Sequence, residues 1–139
     1  MALRALFLLL ATALFAGCID QPADVVVHTR LLKVAGEHAI DCGRAATPDQ
    51  YAQQSKCALD ALHRGTPFLV QYKVPGTGAQ VEEGIASNAR QQQFHVEKIF
   101  WDASYRGDAP AKFATDLCRS GSVRQLGDEQ LTCDFTPSD

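Results

Sequence analysis

The chain has 139 residues, 46% of them hydrophobic, with 13 Lys and Arg against 16 Asp and Glu and a formal charge of −3. That length suits one domain with a single small core. The mildly acidic balance offers no clustered cations to displace counterions from phosphates, which excludes nucleic acid as the main partner. There is no internal repeat and no low-complexity tract, Gln91-Gln92-Gln93 being too short to count as one.

Met1 to Arg4 carries a basic residue, Ala5 to Ala16 is apolar apart from Thr12, and Ala16-Gly17 leads into Cys18. A basic start, an apolar run and small residues are the three parts of a secretory signal. The run is about a dozen residues long, short of the roughly 20 that a bilayer-spanning helix needs. It therefore reads as an export signal. The stretch Leu14-Phe15-Ala16-Gly17-Cys18 resembles the lipobox of bacterial lipoproteins, with Phe15 departing from the commonest choice at its position. The resemblance implies that residues 1–17 are a signal peptide that is removed, that the Cys18 thiol receives a diacylglycerol, and that the new amino terminus is acylated. Two or three acyl chains hold a protein to a bilayer persistently, where one holds it marginally. Ile19, not aspartate, follows the cysteine, and the same resemblance then favours the outer membrane. The alternative, cleavage after Ala11-Thr12-Ala13, would leave Cys18 an unmodified thiol.

Setting Cys18 aside leaves Cys42, Cys57, Cys118 and Cys133, an even number in a chain bound for an oxidising compartment. Four cysteines allow three connectivities. Local closure is the expected one: Cys42 with Cys57, and Cys118 with Cys133. Each bond would then close a loop worth about 3 kcal/mol in chain entropy.

Residues 18–24, including Gln21-Pro22-Ala23-Asp24, read as a lipid-anchored spacer, and 25–139 as one small domain. The β-branched run Val25-Val26-Val27 favours a strand, or an extended lead across a sheet, over Val25 to Val34. Thr47-Pro48-Asp49-Gln50 then supplies a cap, a proline at the first helical position and the glutamine of a capping box. A helix is expected from Pro48 to Arg64, stopped by Gly65 and Thr66-Pro67. Its buried stripe carries Tyr51, Ala58 and Leu62, with Ser55 and Leu59 beside it. Phe68, Val70, Tyr72 and Val74 alternate with Leu69, Gln71 and Lys73 as a strand does. Val81 and Ile85 share one face of a second strand bounded by Ser87-Asn88-Ala89-Arg90. A third covers Gln93 to Asp102, where Phe94 and Val96 point one way and Ile99 and Trp101 the other. Either a bulge shifts its parity or both of its faces are partly covered. Short connections make these three strands an antiparallel meander. After a loop around Gly107-Asp108-Ala109-Pro110, the tail from Cys118 to Phe135 has a turn at Gly127-Asp128-Glu129 and alternation at Leu131, Cys133 and Phe135. It reads as a disulfide-closed terminal hairpin, or as a strand plus a loop. The fold class is α+β, one helix of about residues 48–64 packed on an antiparallel β-meander.

Residues with chemistry are scattered. His28, His38, His63 and His95 have no partner at metal-ligand spacing, and there is no Cys-x-x-Cys. Glu82 and Glu83 are consecutive on a strand, so they face opposite sides and form no dyad; one is expected to meet solvent and the other the rim. Gly76-Thr77-Gly78 joins two strands with no helix after it, which makes it a turn and not a phosphate cradle. Ser120 and Ser122 lack the Gly-x-Ser-x-Gly elbow. No catalytic set, metal site or cofactor is implied. The aromatic residues Phe94, Phe100 and Trp101, with Tyr72 and Tyr105 near them in sequence, are either core or a recognition surface. These readings point to a lipid-anchored cell-envelope lipoprotein, non-enzymatic, facing another envelope protein or peptidoglycan. The alternatives are a periplasmic small-ligand module, with a pocket between helix and sheet lined by Tyr51, Leu62, Phe68 and Trp101, and an enzyme of unrecognised type.

Overall fold

The computed structural model describes residues 22–75, 81–90, 93–102, 112–119, 121–127 and 129–135. The order of elements is α1 (Ala23–Ala35), β1 (Ile40–Ala45), α2 (Pro48–His63), β2 (Phe68–Val74), β3 (Val81–Arg90), β4 (Gln93–Asp102), β5 (Lys112–Leu117), β6 (Arg124–Gln125) and β7 (Leu131–Thr132). The first five strands form one sheet in chain order, and β6 pairs with β7 separately. The class is α+β. β1 runs parallel to β2 with α2 as the crossover, and the rest of the sheet is antiparallel.

α2 follows from its ends. The Gln50 side chain accepts hydrogen bonds from the Thr47 and Ala46 backbone N–H groups, the reciprocal half of a capping box. At the other end Gly65 takes φ +66 and the Thr66 N–H donates to Ala61 O, which closes the helix where the sequence changes to Thr66-Pro67. Tyr51, Ser55, Ala58 and Ala61 are its buried residues. With Phe68, Val70, Tyr72, Ile85 and Val96 they form the core on one face of the sheet, which Cys118, Leu131 and Cys133 of the tail extend. The Tyr72 hydroxyl lies 2.9 Å from Ser55 Oγ, and burial pushes its pKa up to about 12 against the opposing pull of hydrogen bonds from Ser55 and the Leu131 backbone.

Residues 25–34 are helical, not extended. Val27, Leu31 and Ala35 repeat every four residues and are buried; on a helix they form an unbroken apolar stripe, whereas on a strand Thr29 and Lys33 would lie between them on the same face. That stripe packs on Leu69, Ala86 and Ile99 as a second core on the opposite face of the sheet. Packing outweighs the modest β preference of three valines. The helix begins at Ala23, inside the stretch read as spacer. β1 and β5 are likewise additions to the expected strands, and β3 continues through Ser87-Asn88-Ala89-Arg90. β3 and β4 pair without a shift from Val81↔Asp102 to Arg90↔Gln93. No bulge alters the parity of β4; Val96 lies in the α2 core and Ile99 in the α1 core because both faces are covered. Both disulfides take the local pairing, Cys42–Cys57 and Cys118–Cys133. The expected turn at Gly76-Thr77-Gly78, the loop at 107–110 and Tyr105 lie outside the described residues.

α1 comes close to the sheet at Gly84. A Cβ there would stand 2.5 Å from Leu31 Cδ1 and 3.1 Å from its Cγ, and Leu31 is itself fully buried, so Gly84→Ala is expected to lose about 1–3 kcal/mol. Urea unfolding checks this: Gly84→Ala combined with Leu31→Ala should lose less than the two single losses added, and strict additivity would contradict the contact. The Cys42–Cys57 bond, separated by 15 residues, ties β1 to α2. Cys57→Ser should lower unfolding free energy by about 3 kcal/mol, and an unchanged urea midpoint would refute that assignment.

Candidate functional site

The most developed polar arrangement lies where α1 begins, on the face of the sheet that α1 covers. β1 opens it with a bulge. Asp41 pairs with Leu69 but Arg44 pairs with Gln71, so Cys42 and Gly43 together face Val70. Gly43 takes φ +81 and its N–H donates to Asp41 Oδ1, a side-chain turn that stabilises the extra residue. The insertion leaves Asp41 and Arg44 on the same face of the sheet although three positions separate them.

Arg44 uses that position to reach Glu82 of β3. Glu82 is 2% exposed and accepts from Arg44 Nε at 3.1 Å, from Arg44 Nη2, and from Gln71 Nε2 at 3.0 Å. The hydrogen bond to Glu82 raises the Arg44 pKa against the smaller, opposing effect of its own burial. Gln71 Nε2 also donates to Asp24 O at 3.1 Å, which ties the first turn of α1 to the sheet. Above this floor is an open cleft of about 280 Å³ lined by Asp24, Val25, His28, Thr29, Arg44 and Gln71. Arg44, 36% exposed at its side chain, presents the outer side of its guanidinium there. His28 Nε2 lies 3.7 Å from Asp41 Oδ2. The Thr29 hydroxyl donates to Val25 O, so it is turned back on its own helix. The cleft sets the Arg44 guanidinium at the side of a small opening whose exposed lining is mostly apolar; its described side chains pair no nucleophile with a base. Among the described residues no group of three or more His, Cys, Asp or Glu could hold a metal ion.

Glu82 and Glu83 do face opposite sides of the sheet, but neither sits free in solvent. Glu83 pairs with Lys98 Nζ at 3.0 Å and accepts from Gln130 Nε2 at 2.8 Å, which fastens the tail to the α2 side. Of the aromatic candidates, the two with described side chains on β4 do not converge. Phe100 and Trp101 are both half-buried, and as neighbours on β4 they point to opposite faces; Trp101 packs against the α1 core. Phe94 pairs with Ala89 at the far end of that strand, and its side chain lies outside the described residues. Tyr51 and Phe68 are buried in the α2 core and Leu62 packs against it, while Trp101 packs against the core on the other face of the sheet, so the four residues named for a helix–sheet pocket line no common space. Cys18 lies outside the described residues. Asp24, Arg44, Gln71 and Glu82 escaped the sequence reading because no local pattern links them. The one signal was Asp41-Cys42-Gly43, an Asx turn ending in glycine ahead of an arginine. No family model, curated protein or solved structure matches the chain.

Arg44→Met leaves the Glu82 carboxylate enclosed without its cation. The expected loss is about 2 kcal/mol, less than for a fully buried pair because Arg44 reaches water. Adding Glu82→Gln to Arg44→Met should recover part of it in urea unfolding; a double variant as unstable as the sum of the two singles would contradict the pairing.

Proposed function

We propose that the chain is a bacterial cell-envelope lipoprotein, tethered through lipid on Cys18 and serving as a non-enzymatic interaction or accessory domain. The observation that carries this reading is the use of the five cysteines. Four are joined in two disulfides, which suits an oxidising compartment, and the one left over closes the lipobox-like run after an apolar export signal. Four residues separate Cys18 from the start of α1 at Ala23. At about 3.3–3.6 Å per residue, this short tether would keep the domain against the bilayer surface with the α1 end nearest to it. Ile19 supports placement in the outer membrane. Another envelope protein or peptidoglycan is then the partner within reach. The cleft beside Arg44 supports a second reading, a periplasmic module for a small ligand, and the two are compatible in one anchored domain.

Intact mass of the protein extracted from bacterial membranes tests the anchor. The expected mass begins at Cys18 and carries added acyl chains; an unmodified mass would overturn the reading. Cys18→Ser should yield a soluble unlipidated domain or an uncleaved precursor. Unchanged membrane association with a normal mature mass would contradict it.

A further inference from the structure

The two edges of the main sheet differ. The β1 edge is broken by the Gly43 bulge, a feature that discourages further strand pairing. β5 is regular, and its residues Thr115, Asp116 and Leu117 are exposed. Just beyond it, the Cys118 N–H donates inward to Val96 O and the Arg119 N–H donates outward to Asp134 O. Backbone groups alternate along a strand, so the even-numbered residues of β5 bond to β4. Phe113, Thr115 and Leu117 turn their N–H and C=O groups outward. Among the described residues only the segment at Asp134 and Phe135 meets this outer edge, and it does so at Cys118 and Arg119. A row of unpaired backbone groups is a template for another strand.

We propose that β5 pairs antiparallel with β5 of a second copy of this chain, about a two-fold axis at Ala114. In that register Phe113 of each copy stands opposite Thr115 of the other. These are residues whose backbone groups point outward, so the ladder forms without any shift. The same register sets Lys112 opposite Asp116 at both ends. Those positions are the closely spaced, non-hydrogen-bonded pairs, where cross-strand charges act most strongly. Centring on Thr115 instead would also satisfy the backbone, but it sets Lys112 opposite Cys118, on the edge already held by Phe135. Two-fold symmetry makes the contact isologous and closed, and joins two five-stranded sheets into one. Leu117 and Phe135, 42% and 44% exposed, flank the shared edge and add apolar surface to it. The pairing goes beyond the proposed anchor and does not depend on it.

The test is sedimentation of the full chain, extracted in detergent matched in density to the solvent, as wild type, Lys112→Asp, Asp116→Lys and the double swap. A dimer is expected. Each single reversal should weaken it about tenfold, because two attractive cross-strand pairs become two like-charge pairs, and the double swap should restore it. A monomeric wild type would overturn the proposal, as would a dimer indifferent to the single reversals or singles that the swap does not rescue. Failure of the lipid reading would appear separately, in the mature mass and not in the association state.

Discussion

The contact between Leu31 and Gly84 sets the form of the molecule. Without a side chain at position 84, α1 settles onto β3 closely enough to bury Val27, Leu31 and Ala35 against Leu69, Ala86 and Ile99. That covers the second face of a sheet whose first face is already occupied by α2. β2 is enclosed on both sides as a result, with Phe68 through Tyr72 all buried. A strand in that position has no solvent-facing side on which to place polar residues. Gln71 and, on the neighbouring strand, Glu82 are therefore drawn inside.

Enclosing a carboxylate is unfavourable unless charge and hydrogen bonds compensate. Here the compensation is complete: Arg44 donates twice and Gln71 once to Glu82, and no buried side-chain nitrogen or oxygen among the described residues lacks a partner. The bulge at Gly43 delivers Arg44, and the Gln71 bond to Asp24 O fastens the start of α1 over the same spot. The cleft is thus a product of the fold's own polar constraint. It is open, its floor is hydrogen-bonded throughout, and it is lined by the first turns of α1, the helix nearest in sequence to Cys18.

The sequence was readable where local chemistry and tertiary packing agree. The capping box of α2, the period of β2, the meander and the 15-residue cysteine spacings each state their structure directly. α1 was obscured because Val25-Val26-Val27 argues for a strand locally, while the stripe at 27, 31 and 35 decides only once a sheet supplies a face for it. β1 was obscured because a bulge inside six residues erases alternation. β5 was missed because Thr115 is its one β-branched residue and Lys112, Ala114 and Asp116, all weak strand formers, fill its alternate positions. The cleft was out of reach for a different reason: Asp24, Arg44, Gln71 and Glu82 are far apart in the chain, and only the register of three strands and one helix brings them together.

Native-state hydrogen exchange of the α1 amides, compared with those of β2 and β3, tests most directly whether α1 belongs to the cooperative fold and holds the cleft ready-made. If it does, the amides of Leu31 and its neighbours exchange only through global unfolding, with the same free energy as the central strands. Exchange of α1 through a separate opening of much lower free energy would contradict this, and would show the helix to rest detachably on the sheet.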